Sequence, residues 1–191
     1  MAGRTLVALA AALGIATAAA AQDPENMLVI DVDGATRGTV EIELLPEAAP
    51  KHVERIKELA RSGAYDGVVF HRVIDGFLAQ TGDVAFGKRE ALAQGRAGTG
   101  GSDLPDLPAE FSDLSFEKGT VGMARAMDPD SANSQFFIMF APATHLDGQY
   151  TVVGRVVAGQ EVVDAIKRGG GPNGEVDDPD FMADVRVKGD G

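Results

Sequence analysis

The chain has 191 residues, a length that suits one globular domain with a sizeable core. Its 29 acidic and 17 basic residues give a formal net charge of −12, which argues against nucleic acid and anionic membrane surfaces as partners. The chain has no cysteine, so disulfides, thiolate catalysis and cysteine-ligated metal sites are excluded, and the spacing of its three histidines does not predict a metal site.

Residues 1–21 predict a cleavable export signal. Arg4 provides a positive start, residues 6–18 form an apolar run too short to span a bilayer as a helix, and three alanines at 19–21 suit a cleavage site. The alternative is a buried N-terminal helix. Cleavage would leave residues 22–191 as one domain, and we expect it to be a monomeric, periplasmic protein without membrane insertion.

Turn signals and apolar periodicity predict a mainly β chain with two helices and no βαβ alternation. This pattern favours a closed antiparallel barrel with helices over its ends. The expected strands are residues 27–32, 39–45, 70–74, 77–81, 119–126, 134–140, 149–157 and 182–188, and the expected helices are residues 46–62 and 160–168.

The run FHRVIDGFLAQTGD, residues 70–83, predicts a hairpin that turns at Asp75-Gly76. Because strand side chains alternate between faces, Leu78 and Gln80 share one face. Arg72 is a permanent cation among hydrophobic residues, so we expect it to border solvent or a cleft. The alternative is a surface arginine paired with an acidic residue.

The strand predicted over residues 134–140 repeats this pattern, because Gln135 and Phe137 share a face. Two strands that each carry an amide and a hydrophobic residue could build one pocket with an apolar floor and a polar rim. The alternative is that all four are ordinary half-buried strand residues.

Residues 84–114 form a long segment, rich in glycine, proline and charge, with little periodicity. Loops of this length are usually functional or mobile. The run AGTGG at 97–101 lacks the lysine and the strand–helix context of a phosphate-binding loop, so it predicts close backbone packing. Residues 173–179 are acidic but lack EF-hand spacing, which predicts a solvated loop.

Four stretches, in this order, resemble motifs of the cyclophilin-type peptidyl-prolyl cis-trans isomerases. The resemblance covers nearly all of the chain after the export signal. It implies an eight-stranded antiparallel barrel capped by two α-helices, prolyl isomerase activity without metal or cofactor, and proline-containing polypeptides as substrates. The stretches are AAPKHVERIKELARSGAYDGVVFHRVIDGFLAQTGD, AGTGG, GTVGMARAMDPDSANSQFFIMF and HLDGQYTVVGRVV.

The same resemblance implies the roles of individual residues. Arg72 matches the catalytic arginine. His145 and Tyr150 match substrate-binding positions at which many members have Trp and His, respectively. The other matching positions are the proline-pocket wall at Phe77, Leu78, Phe137 and Leu146, and the groups that hold the substrate chain at Gln80, Gly98, Ala124, Arg125 and Gln135.

Two other functions remain as hypotheses. The first is a non-catalytic chaperone or scaffold that binds proline-containing segments on the same barrel; the presence of Arg72 argues against it, because binding a proline ring needs only the apolar wall. The second is a hydrolase that uses Ser134 with His71 or His145. The sequence around Ser134 lacks the context of a nucleophile elbow.

The departure at His145 leads to a prediction about inhibition. The tryptophan that many members have at this position helps to bind cyclosporin in the family. Since histidine removes that contact, we expect cyclosporin to inhibit the protein weakly. Titration of isomerase activity with cyclosporin measures this, and nanomolar inhibition would contradict it.

Overall fold

The computed structural model describes residues 23–171 and 173–190, so the predicted export signal lies outside the described residues. Within this range no helix is long and apolar enough to cross a membrane. The strands are β1 Met27–Asp33, β2 Gly38–Leu44, β3 Arg72–Ile74, β4 Leu78–Thr81, β5 Thr120–Met123, β6 Phe136–Met139, β7 Val152–Ala158 and β8 Phe181–Val187, and the α-helices are α1 Pro50–Arg61 and α2 Gln160–Ala165.

All eight strands belong to one antiparallel sheet in the order β3-β4-β6-β5-β7-β2-β1-β8, which curls into a half-barrel. This confirms the predicted mainly β architecture. The two end strands, β3 and β8, share no ladder within the described residues. An isolated bridge between Val69 and Phe181 links β8 to the chain just before β3. Closure of the barrel therefore stays a prediction.

Strand β6 is buried on both faces and separates two hydrophobic clusters. Phe136 and Ile138 point into the main core, which the curled sheet and α1 enclose. Their neighbours Phe137 and Met139 point to the opposite face, because side chains alternate along a strand. There they join a smaller cluster that also contains Leu78, Phe116, Leu146 and Val152.

The central hairpin is shorter than predicted, because β3 begins at Arg72 and not at residue 70. The preceding residues pair elsewhere: Met182 N donates to Val68 O at 2.8 Å, and Val69 N donates to Gly87 O at 2.9 Å. Val68 and Val69 thus pair with Met182 and Gly87, and not within the hairpin. The alternation of side chains along the strand could not show this. The ends of the other elements differ from prediction by a few residues.

The predicted helix over residues 46–62 begins at Pro50, and residues 46–48 form a turn before it. A proline suits the first position of a helix because it has no N–H to leave unpaired. The segment over residues 84–114, predicted without regular structure, contains a short 3-10 helix at Arg89–Gln94.

Helix α1 receives its N-terminal cap from this long segment. Its own N-cap residue, Ala49, provides no side-chain acceptor. The Glu110 carboxylate instead accepts the backbone N–H groups of Lys51 at 3.1 Å and His52 at 3.2 Å, and it lies 2.7 Å from Nδ1 of the buried His52 ring. The far end of the segment is thereby tied to the helix.

Both ionisable groups of this cap have a lowered pKa. Burial lowers the pKa of His52, so the ring is neutral near pH 7 and its Nδ1–H donates to Glu110. Burial would raise the pKa of Glu110, but the hydrogen bonds from His52 and the two backbone amides outweigh it, and the net direction is down.

We expect Glu110→Gln to lower the free energy of unfolding by about 1 kcal/mol at pH 7, because a charged cap becomes a neutral one. The contribution of Glu110 is complete above its unfolded pKa of 4.5 and is lost as the pH falls through the lower folded value. The variant should therefore lose less stability than the wild type on acidification below pH 4.5.

Denaturant unfolding at several pH values measures this effect. Asp113→Asn is the matched control, since it removes one negative charge from an exposed position of the same segment. Equal unfolding free energies for Glu110→Gln and the control would contradict the capping role.

Candidate functional site

The register of three neighbouring strands places the predicted site residues side by side. Arg72 on β3 pairs with Gln80 on β4, and Gln80 pairs with Phe137 on β6. Cross-strand partners lie on the same face of a sheet. The cation, the amide and the aromatic ring therefore form one row on the outer face of the half-barrel, above the smaller hydrophobic cluster.

The Arg72 guanidinium is held by two neutral oxygens. Its Nη1 donates to Gln80 Oε1 at 3.0 Å, and its Nε donates to the Asn173 carbonyl at 3.0 Å. Within the described range these hydrogen bonds go to an amide and a carbonyl oxygen, which differs from the alternative of a surface arginine paired with an acid. These two hydrogen bonds restrict the orientation of the guanidinium.

The network continues away from Arg72 through two amide side chains. Gln80 Nε2 donates to Gln135 Oε1 at 2.9 Å. Gln135 Nε2 donates to the carbonyls of Gly98 at 3.1 Å and Gly100 at 2.8 Å. The AGTGG run, predicted to pack closely by its backbone, therefore provides the acceptors at the end of this network.

A cavity of about 170 Å³ opens beside Arg72. Its floor is apolar and its rim carries Gln80 and two guanidinium groups. The lining residues are Arg72, Phe77, Leu78, Gln80, Ala124, Arg125, Phe137, Leu146 and Tyr150. Nine of the twelve positions predicted for the site thus meet around one small hollow.

A second cavity of about 530 Å³ adjoins the first and shares Gln80, Ala124 and Arg125 with it. It brings in the predicted residues Gly98 and Gln135. Sequence reasoning missed its remaining lining residues, which are Thr99, Gly100, Gly101, Ser102, Asp106, Ala126, Ser131 and Asn133. Most of them are small or polar and come from segments without periodicity, so no pattern indicated them.

The two positions that depart from the family pattern have stacking partners. His145 is exposed and lines neither cavity, but its ring stacks on Phe77 with centroids 5.9 Å apart. Tyr150 lies under the Arg125 guanidinium at 4.4 Å. Arg125 is further held by the carbonyls of Ala126 and Gln149. Each of these rings thus stacks on a residue that lines the small cavity.

His71, which precedes Arg72, is buried beside the loop that contains Gly98. A Cβ atom added to Gly98 would lie 2.8 Å from Cδ2 of His71, so only glycine allows this approach of the loop. Burial lowers the pKa of His71 to about 4, so the ring is neutral near pH 7. The neighbouring His71 therefore adds no second positive charge beside Arg72.

The hydrolase hypothesis is not supported. Ser134 is fully buried, and its hydroxyl donates to Gly82 O at 2.7 Å. Neither ring nitrogen of His71 has a hydrogen-bond partner among the described residues. The part of the chain that the structure describes also contains no group of three or more His, Asp or Glu side chains able to hold a metal ion.

Comparison with known proteins agrees with this geometry. Residues 27–189 match the family model described as cyclophilin type peptidyl-prolyl cis-trans isomerase/CLD. The chain belongs to this family. It is a peptidyl-prolyl cis-trans isomerase by enzyme class, as named for its relatives and its family.

Bacterial relatives match over most of their length. A Brucella suis protein named "Probable peptidyl-prolyl cis-trans isomerase" is 53% identical over 184 residues, which cover 95% of this chain and 92% of that protein. Peptidyl-prolyl cis-trans isomerase B of Bacillus subtilis is 38% identical over 151 residues, covering 78% of this chain and 91% of that protein.

Solved structures share the fold. A cyclophilin from Hirschia baltica superposes with a TM-score of 0.71 at 28% identity, covering 86% of this chain and 74% of that chain. A cyclophilin-type isomerase of Cryptosporidium parvum, crystallised in the presence of the dipeptide Ala-Pro, gives a TM-score of 0.70 at 24% identity, covering 84% and 98% of the two chains.

One contact of the site came from an unexpected part of the chain. The segment over residues 173–179, predicted as a solvated loop, runs along β3: Val73 N donates to Gly174 O at 2.7 Å, and Val176 N donates to His71 O at 3.2 Å. This pairing brings the Asn173 carbonyl to Arg72. On the side of Asn173 the contact is made by a backbone carbonyl, which leaves no residue-type signal in a sequence.

Proposed function

We propose that this isomerase is exported and rotates Xaa-Pro bonds in proteins that fold outside the cytoplasm, with Arg72 as its catalytic residue. The observation that carries the proposal is a guanidinium held by neutral partners beside a small apolar cavity. Proline-containing polypeptides are the substrates, and neither metal nor cofactor takes part.

The reaction breaks no bond, so it needs no nucleophile. Its obstacle is amide resonance, with a rotation barrier of roughly 18–20 kcal/mol. In the twisted state the prolyl nitrogen regains its lone pair, whereas in both planar states that lone pair is delocalised. A fixed donor aimed at this nitrogen binds the twisted state more tightly than either planar state, and this difference lowers the barrier.

The small cavity suits this task because it combines two kinds of surface. Phe77, Leu78 and Phe137 belong to the apolar wall against which a proline ring can pack. Arg72 stands on the rim with Nε and one Nη1 hydrogen engaged. A guanidinium has five N–H donors, so the remaining ones can face the substrate.

Gln80 and the groups of the larger cavity complete the proposed site. Gln80 restrains Arg72 directly, while Gln135, Gly98 and the backbone at Ala124 and Arg125 border the path of the substrate chain. Leu146, Tyr150 and His145 bound the other end, near Phe77. These roles follow the family resemblance and the arrangement of the two cavities.

Arg72→Ala tests the catalytic role. We expect it to slow cis–trans exchange of an Ala-Pro peptide by about a hundredfold or more, since a single fixed donor to a transition state commonly accounts for that much. Exchange NMR measures the rate, and a binding titration should show that the peptide still binds. The melting temperature should change little, because Arg72 is not part of either hydrophobic cluster.

Arg155→Ala is the matched control, because Arg155 is an exposed arginine on β7 that pairs with Glu43 and lines neither cavity. A parallel loss of melting temperature and activity in Arg72→Ala would contradict the catalytic role. If the peptide bound without faster exchange in the wild type, the protein would be a proline-binding module instead.

The proposed location rests on residues 1–21, whose apolar run and alanine triplet suit export and cleavage. Expression of the full chain in a Gram-negative host should deliver a protein that begins at or near Gln22 to the periplasmic fraction. N-terminal sequencing of that fraction measures this. Recovery of the uncleaved chain from the cytoplasm alone would contradict export.

A further inference from the structure

Asp83 is a fully buried carboxylate two residues after β4, and the proposed mechanism assigns it no role. Each of its oxygens accepts two backbone N–H groups. Oδ1 accepts from Ala85 at 3.1 Å and Phe86 at 2.9 Å. Oδ2 accepts from Gly98 at 2.8 Å and Gly100 at 2.9 Å. One side chain therefore joins the beginning and the end of the loop over residues 85–100.

An ionised carboxylate is well suited to this junction. Its two oxygens have about four lone-pair sites, enough for all four amides, and hydrogen bonds to a charged acceptor are roughly twice as strong as neutral ones. The loop between the two ends contains the short helix Arg89–Gln94. Without the carboxylate, the ends of so long a loop would gain conformational freedom.

The same two glycines also anchor the network that leads to Arg72. Gly98 and Gly100 donate their N–H groups to Asp83 and accept Gln135 Nε2 on their carbonyl oxygens. Gln135 in turn holds Gln80, and Gln80 holds Arg72. An unbroken series of hydrogen bonds therefore runs from the buried carboxylate to the guanidinium.

We propose that Asp83 is a positioning residue for the isomerase reaction: by fixing Gly98 and Gly100 it sets the orientation of Gln135, Gln80 and finally Arg72. The inference rests on the proposed catalytic role of Arg72. Asp83 does not line either cavity and does not contact the substrate path. Its effect on catalysis is therefore exerted through the loop.

Asp83→Asn tests the inference with little change in shape. The amide keeps one acceptor oxygen and places an NH₂ group against two backbone N–H groups, so one end of the loop is released. We expect the exchange rate of a saturating Ala-Pro peptide to fall about ten- to a hundredfold, because small misplacements of a catalytic group have effects of that size. The peptide dissociation constant should change far less, since the apolar wall is intact.

A second readout does not depend on activity. In NMR spectra, the Nε–H signal of Arg72 should shift in Asp83→Asn, together with the amide signals of Gly98 and Gly100. Thr81→Val is the matched control: Thr81 is the last residue of β4, and the change removes its buried hydrogen bond to Val69 O, which lies outside the network. The control should lose stability but keep its exchange rate and its Arg72 signal.

If Asp83→Asn does not fold, Gly100→Ala serves as the second variant. Its Cβ would lie 2.7 Å from Asp83 Oδ1 and 2.7 Å from Phe86, so the loop must move away from an intact carboxylate. The same loss of exchange rate and the same shift of the Arg72 signal are expected.

The inference is overturned if a folded Asp83 or Gly100 variant keeps the wild-type exchange rate and Arg72 signal. It is also overturned if Thr81→Val loses exchange rate in proportion to its loss of stability, as Asp83→Asn does.

Failure of the proposed function would give a different result. In that case the wild type itself does not speed exchange, while the shift of the Arg72 signal in Asp83→Asn still reports whether the network transmits the change.

Discussion

The register of β4 between β3 and β6 is the constraint on which the site depends. It places Gln80 between Arg72 and Phe137, so that the cation, its amide support and the apolar floor share one face. A slip of one residue would turn every β4 side chain to the opposite face and send Gln80 into the core. Gln80 opposes such a slip, because in the main core its amide would lose the hydrogen bonds to Arg72 and Gln135.

Long segments without periodicity are organised by single acceptor groups. Asp83 accepts four backbone amides from the beginning and the middle of the segment over residues 84–114, and Glu110 caps α1 near its end. Buried backbone amides need acceptors, and here a few carboxylates provide them where strands do not. The segment can therefore line the larger cavity with a fixed shape although it has little regular secondary structure.

The arginines at the two cavities differ from those on the surface in the groups that bind them. On the acidic surface, exposed arginines such as Arg155 and Arg186 pair with carboxylates. At the cavities, Arg72 and Arg125 bond to neutral oxygens and, in the second case, stack on Tyr150. A neutral support orients a guanidinium without placing a negative charge beside it. This suits a reaction in which a developing lone pair, and not a formal anion, is to be stabilised.

Sequence by itself determined the class of the fold, the order of its strands along the chain and the residues that line the small cavity. Alternation placed Leu78 with Gln80 and Gln135 with Phe137, because side-chain direction along a strand is a local property. Only the tertiary structure decided that residues 68–70 leave the central hairpin to pair with two other segments, that Asn173 reaches Arg72, and which loops line the larger cavity. These contacts join residues distant in sequence, and the hydrogen bonds among them use a backbone group on at least one side; such groups are the same for nearly every residue type and so leave no pattern to read.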